Sequence, residues 1–579
     1  MKNLFLTCIL LISHSAQAFS QEFKIGDRVV AIEEIQIMED GQPVGNVSRG
    51  FPLDIITVEG DRLRVKSPRP GWISASQVIS QTDALKYFSE LINNDPTNRD
   101  NLYARAMVWL SIDKYDEAIA DFTKRIAIKA EYRDYNERGY CWMMKGDMDK
   151  AIADFNTAVE LAPKDARMRL NRGLAYKKTG DIERAIQDFN DALELDSELI
   201  GAYENRGLIH LRNNDLVNAV RDFDAVISLN PQSVRIRELR GRCLIDLGKA
   251  ADAIIDFTKI LERDPQSVNA LFYRGNAYDS MGQYENALLD YNHVLEILPR
   301  NAIVYFRRGK TYHATDNLET ALQDLNKALS IDADNVYFLR ERADIYKDKE
   351  QYQKAVADLN RLLKQIPNSV PDLISRASSL KMLDQSAEAI HDLSLALKVD
   401  PGHDLAPLAH YIRGDLRRVA GDFESAIVDY DHALLGARSP EILYLRSKCY
   451  RNLGKPGQAI AGLRESIAIN PDYIQAHNGL AWIFATWPSE EIRDGEQAVV
   501  HARHACELSD WKDPLLLDTL AAAYAESGDF QSARNYLDAA IQLMDDEIQV
   551  KAEVVHKQKL YKANKPYRES IPALDSEKR

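Results

Sequence analysis

His501 and His504 stand three residues apart, a spacing that puts both imidazoles on one face of a helix, where two such rings can ligate a metal ion. No cysteine or carboxylate joins them at a metal-binding spacing, so they read as exposed helix residues. No metal and no other cofactor is expected. Cys141, Cys243, Cys449 and Cys506 are scattered singly, without a C-x-x-C pair, which fits helix packing better than bridges or ligands. The chain has no Gly-rich phosphate loop, no G-x-S-x-G elbow and no H-E-x-x-H, the patterns that place a nucleophile, phosphate cradle or zinc. Catalysis is therefore not expected.

The charged residues with strict spacing are of another kind. Arginine recurs from Arg105, Arg138 and Arg172 through Arg240 and Arg342 to Arg446, and sixteen residues after it comes aspartate, from Asp121 and Asp154 to Asp429, with Gly462 in that place after Arg446. An arginine fork matches a carboxylate bidentately, so the series predicts a ladder between packed helices, structural because a binding site would not need so many copies. The spacing leaves open whether each pair lies within a repeat or between repeats.

The elements carrying this series are set by a period of 34. Gly139, Gly173, Gly207, Gly241, Gly275 and Gly309 fall 34 residues apart, and Ala343 and Ala377 continue the register. Alanine follows each after twelve residues (Ala151, Ala185, Ala219) and a large apolar residue after sixteen (Phe155, Phe189, Phe223), with Pro163, Pro231 and Pro265 closing units. Small residues facing each other let two antiparallel helices approach, the ring fills the space alongside, and proline ends the second helix. Lys145-Gly146-Asp147 and Thr179-Gly180-Asp181 supply the turns.

These landmarks resemble the tetratricopeptide repeat family. The resemblance implies an all-α solenoid of helical hairpins wound into a superhelix, with about thirteen units over 99–547. A half-repeat helix precedes them at 81–98 (Ala84, Phe88, Pro96), and 548–579, with Lys551, Lys557, Lys559, Lys562 and Lys565, reads as a capping helix and a loose basic tail. The lengthened loop at Trp487-Pro488 in the twelfth unit is either a contact surface or a packed cap. With YKANKPYRES near the end, this region is similar to a recurring ending of large bacterial repeat proteins.

Residues 1–18 read as a cleaved signal peptide, with Lys2, the apolar run Leu4 to Ile12 and Ala16-Gln17-Ala18. Export to a periplasm or cell envelope follows, with no stable membrane insertion after cleavage. Residues 19–80 alternate apolar and polar residues between turns such as Asp40-Gly41 and Gly60-Asp61. Their closing GWISASQVI resembles Src-homology-3-like barrels of bacterial exported proteins, implying a small all-β barrel with Trp72 in its core.

A 45% hydrophobic and 28% charged composition argues for a folded chain, and a net charge of −15 disfavours nucleic acid. Function is then expected on the concave face, which the resemblance assigns to the first helix of each unit. The second, fifth and ninth positions of units six to eight are Asn269, Phe272, Asn276, Ile303, Phe306, Lys310, Tyr337, Arg340 and Asp344. Rings beside amides and charges suit an extended peptide, so other proteins or peptides are the expected partners. The alternative is a peptidoglycan-binding protein that uses the barrel, with the repeats as spacer. The family's clamp for a terminal carboxylate is not predicted, since only Asn171 and Asn205 match it.

Overall fold

The computed structural model describes residues 22–436, 438–544 and 548–571. The expected leader at 1–18 and the last eight residues of the tail lie outside them. Among the described residues, seven strands precede 28 α-helices arranged as a helical-hairpin solenoid, which divides into two compact units between Asp290 and Tyr291. No described helix is long and apolar enough to cross a membrane.

The first unit begins with β1 (Arg28–Ala31), β2 (Ile35–Glu39), β3 (Gln42–Val47), β4 (Pro52–Glu59), β5 (Arg62–Lys66), β6 (Gly71–Ser74) and β7 (Val78–Ser80). They pair antiparallel in the order β3-β2-β6-β5-β4-β1-β7. Alternation sends Leu53, Ile55, Leu63 and Val65 into one apolar core. The expected barrel is not closed, because β3 and β7 are edges. β7 has only three residues and runs straight into helix Gln81–Asn94, where Val30 and Ile79 pack with Ala84, Phe88, Ala104 and Val108. That junction needs Gly50: its φ is +84°, and a Cβ there would lie 2.3 Å from the Ala104 Cα.

Trp72 also departs from expectation. Its neighbours Gly71 and Ile73 take the inward positions of β6, so the pleat turns the indole to the other face. There the Arg62 and Arg64 guanidiniums lie 4.7 and 6.0 Å from its ring.

In the repeats, Gly146 ends helix Tyr132–Lys145 at φ +88°, and Asp147 caps helix Met148–Leu161 by accepting from the Lys150 amide. A Cβ added to Gly173, Gly207 or Gly241 would approach the rings of Phe189, Phe223 and Phe257 to 2.8, 2.8 and 2.7 Å. In the second unit the same addition to Gly309 would meet Leu325 at 2.8 Å. Small residue and ring are thus two halves of one contact.

The arginine series settles between these helices. Arg172 donates from Nε and Nη2 to the two carboxylate oxygens of Asp188 at 2.9 and 2.7 Å, and from Nη1 to Asn156 of the preceding hairpin at 2.9 Å. In the second unit Arg342 grips Asp358 at 2.7 and 2.6 Å and reaches back to Asn326 at 2.7 Å. The fork therefore closes a hairpin, and its third donor ties that hairpin to the one before. Asp188 and Asp358 are 2% and 4% exposed, so their charge depends on the fork. Where Gly462 replaces aspartate, the Arg446 Nε is buried without a hydrogen-bond partner.

The last repeats are sealed by side chains. Trp487 is buried, and Arg493 donates to the Trp487 and Pro488 carbonyls and to Glu526, which makes the lengthened loop a packed cap. Helix Ile548–Lys562 follows. Lys557 lies on this helix, where a cap was expected, and is 2% exposed, 2.7 Å from the Asp518 carboxylate and 4.8 and 4.9 Å from the rings of Trp482 and Tyr567.

Asp358→Ala strands the Arg342 charge and is expected to cost about 3 kcal/mol locally, whereas Arg342→Met with Asp358→Leu recovers most of it. Hydrogen exchange in helices Val336–Asp348 and Tyr352–Gln365 reads both. Equal loss in the single and double variants would contradict the fork's role.

Candidate functional site

The first helices of successive hairpins are tied to each other by polar side chains. A cation near the end of one reaches the middle of the next: Lys177 to Asn205 at 2.9 Å, Lys347 to Ser375 at 2.8 Å, Lys381 to Asp415 at 2.8 Å. Any surface for a partner must lie where such ties leave atoms over.

The nine candidate residues fall into two groups. In the first unit, Asn269, Phe272 and Asn276 share helix Val268–Ser280. Asn269 is exposed and donates to Glu238 at 3.2 Å, Phe272 meets Tyr273 edge-on at 5.3 Å, and Asn276 is half-buried. In the second unit, Ile303, Phe306 and Lys310 on helix Ala302–Ala314 lie beside Tyr337, Arg340 and Asp344 on helix Val336–Asp348. The Phe306 ring lies tilted against that of Phe338 at 5.0 Å, and Lys310 lies 3.6 Å from Glu341.

The charged members of this second group have partners within the fold. Arg340 holds Asp372 through two 2.7 Å hydrogen bonds, and Asp344 pairs with Lys347 at 2.7 Å. Two of the apolar members stay open: Ile303 is 57% and Tyr337 63% exposed, the Tyr337 ring lying 6.0 Å from the Arg340 guanidinium. Beside Ile303 opens a cavity of about 780 Å³ floored by Leu298, Ala302 and Phe338. The face offers apolar contact over a charge-matched frame.

A second place was missed from sequence although four of its five residues lie at the same offsets. Tyr444, Lys448 and Arg451 on helix Pro440–Asn452, with Asn478 and Trp482 on helix Ile474–Thr486, line a polar cleft. They occupy the fifth, ninth and twelfth positions of one unit and the fifth and ninth of the next. Extending the groove count beyond the eighth unit was the signal that would have found them.

His501 and His504 are not the exposed pair expected. His477, 24 residues earlier, brings its Nδ1 to 2.9 Å from the His501 Nδ1, while its Nε2 meets the Pro471 carbonyl at 2.8 Å. The His504 ring lies 4.5 Å from that of His477, and Phe484 stacks on His501. With Nε2–H given to Pro471, His477 accepts from His501, an arrangement that requires a neutral ring. No metal-binding cluster of three or more such ligands occurs among the described residues. Burial, reinforced by His477, Arg464 and His504, takes His501 from its ordinary 6.5 to about 4, and burial also lowers His477. The cysteines are inert by the same cause: burial pushes Cys141, Cys449 and Cys506 up to about 12 and Cys243 to about 11.

Tetratricopeptide repeat family models match residues 135–200, 204–268, 302–335, 341–369 and 440–473, with further matches at 257–288 and 275–316. DnaJ homolog subfamily C member 3 of Mus musculus is 33% identical over 84 residues, 14% of this chain and 17% of that protein. Serine/threonine-protein phosphatase 5 of Homo sapiens is 33% identical over 90 residues, 15% and 18%. The chain thus spans under a fifth of these relatives' length. Among solved structures, YrrB, described as a TPR protein with an unusual peptide-binding site, is 26% identical, with TM-score 0.30, covering 32% of this chain and 95% of that one. Yeast Tom70 is 16% identical, with TM-score 0.29, covering 75% and 96%.

The histidine values lie below the ordinary one, so the fold favours neutral rings. Their stabilising effect is complete above about pH 6.5 and is lost as pH falls toward 4. His477→Gln with His501→Asn is expected to flatten the fall of the melting temperature across that window. An unchanged acid slope would refute it.

Proposed function

We propose, from a chain that carries tetratricopeptide repeats, that this protein is a non-catalytic scaffold that binds protein or peptide partners along its first-helix face. The observation that carries this is the pair Ile303 and Tyr337, large apolar side chains left open above Phe306, Phe338 and the adjoining cavity. Such repeats generally mediate protein–protein interaction, and an exposed apolar patch on a face otherwise cross-linked by polar groups fits a contact surface. The leader-like residues 1–18 support export, so the partners are sought in the cell envelope.

The alternative use, wall binding through the N-terminal sheet, has one feature in its favour: a cavity of about 430 Å³ lined by Val44, Phe51, Lys66 and Arg69. Sedimentation of the full chain with purified peptidoglycan, with and without Phe51→Ala, tests it. Against the spacer role stands the packing of that sheet onto the first repeat.

Ile303→Ser with Tyr337→Ser removes exposed atoms and leaves the core untouched. Crosslinked capture from envelope extract is expected to fall about tenfold, the scale of losing a hot-spot contact. Unchanged capture with an unchanged melting temperature would overturn this site.

A further inference from the structure

The cleft between helices Pro440–Asn452 and Ile474–Thr486 is small, about 150 Å³, and its chemistry is unbalanced. Lys448 makes no ion pair among the described residues; its ammonium lies 5.6 Å from the Tyr444 ring centre. Arg418 is answered by Asp415, at 2.5 and 3.1 Å. Among the described residues Arg451 has only Glu569 as an ion-pair partner, at 3.8 Å, too far to hydrogen-bond. Burial, with the charges of Arg418 and Arg451, draws the Lys448 pKa down. A chain of net charge −15 thus gathers cations here without enough carboxylates to match them.

On the opposite wall one acceptor is left without a donor. The Asn478 Oδ1 is buried with no hydrogen-bond partner, and a buried acceptor of that kind calls for an N–H. Cations awaiting a carboxylate and an amide oxygen awaiting an N–H together describe an acidic amino-acid residue held in a peptide.

The chain's own end shows that an extended strand fits beside this wall. After helix Ile548–Lys562 and a turn at 563–564, residues 565–571 run without regular structure. The Glu569 amide donates to the Thr486 carbonyl at 2.9 Å, Tyr567 lies 6.1 Å from the Trp482 ring, and Ile571 is buried in the core of the last repeats. Glu569, an internal residue, points its carboxylate toward Arg451.

We propose that this cleft binds the side-chain carboxylate of an aspartate or glutamate within an extended partner peptide. Lys448 and Arg451 take the carboxylate, Asn478 accepts the residue's N–H, and Tyr444 and Trp482 cover its methylenes. The proposal rests on the scaffold reading above and names one feature of its partner. The site differs from a clamp for a chain terminus, since its cations sit three apart on one helix and answer a residue in mid-chain.

The test uses the full chain with lysines reductively dimethylated from ¹³C-formaldehyde, the Lys448 resonance being assigned with Lys448→Arg. N-acetyl-glutamic acid α-amide carries only a side-chain carboxylate, N-acetyl-glutamine only a terminal one, and N-acetyl-glutamine amide neither. The first is expected to shift the Lys448 resonance saturably and raise its titration midpoint by about one unit, as an opposite charge at short range does. The other two are expected to leave it in place. Arg451→Gln and Asn478→Leu should each weaken that response about fivefold or more, with the Lys448 resonance itself reporting an intact fold. No response, an equal response to either of the other probes, or full response in both variants overturns the proposal. The Ile303 and Tyr337 substitutions lie outside this cleft. Failure here therefore leaves capture by that face standing, and capture lost there leaves the Lys448 response intact.

Discussion

A carboxylate buried between two helices is tolerated only with a partner, and the hairpins from Arg105 to Asp429 are organised around meeting that condition. The guanidinium is suited to the task because its donors point in fixed directions. Two of them close the hairpin on its own aspartate, as in Arg172 with Asp188, and the third addresses the hairpin before it through Asn156. One side chain thus sets the angle inside a repeat and the stagger between repeats. Apolar contact between Gly173 and Phe189 supplies adhesion but little direction, whereas the fork supplies direction. At Gly462 only the fork lapses: Ser447 sits where a Cβ on Gly462 would go, and Arg446 keeps its tie to the preceding hairpin through Asp431.

Much of this was readable because a 34-residue period repeats every local signal many times. A single arginine sixteen residues from an aspartate says nothing; the same spacing from Arg105 to Asp429 says that two helices are in register. What the period could not convey was direction. Spacing alone does not distinguish a bond within a hairpin from one between hairpins, and the structure shows both from one residue. The N-terminal sheet was less legible, since Gly-Trp-Ile-Ser specifies a strand without saying which face its indole takes or whether the sheet's edges meet. The histidine cluster was hidden for a related reason. His477 sits on a different helix from His501, and only packing brings the rings together.

For the binding face, the register located the positions but not their availability. Arg340 and Asp344 stand at groove positions and are consumed by the fold, while Ile303 and Tyr337, at the second position of their units, remain open. The contrast follows from the neighbouring helix: Arg340 faces Asp372, a carboxylate 2% exposed in side chain that must be paired. Lys448 has no such neighbour. A groove in a repeat protein is thus written twice, once by the residues at its variable positions and again by whether the next repeat neutralises them.

The docking of Gly50 against Ala104 has a consequence for assembly. Helical hairpins present the same kind of apolar side to whatever comes next, so an array with a bare end is a template for another array. At the N-terminal end that side is taken up by a sheet whose loop approaches closer than any side chain would permit. At the other end Lys557 and Tyr561 close the last hairpin from within. Among the described residues, each end of the repeat series is thus covered by a differently shaped piece of the same chain, a sheet at one end and a helix at the other.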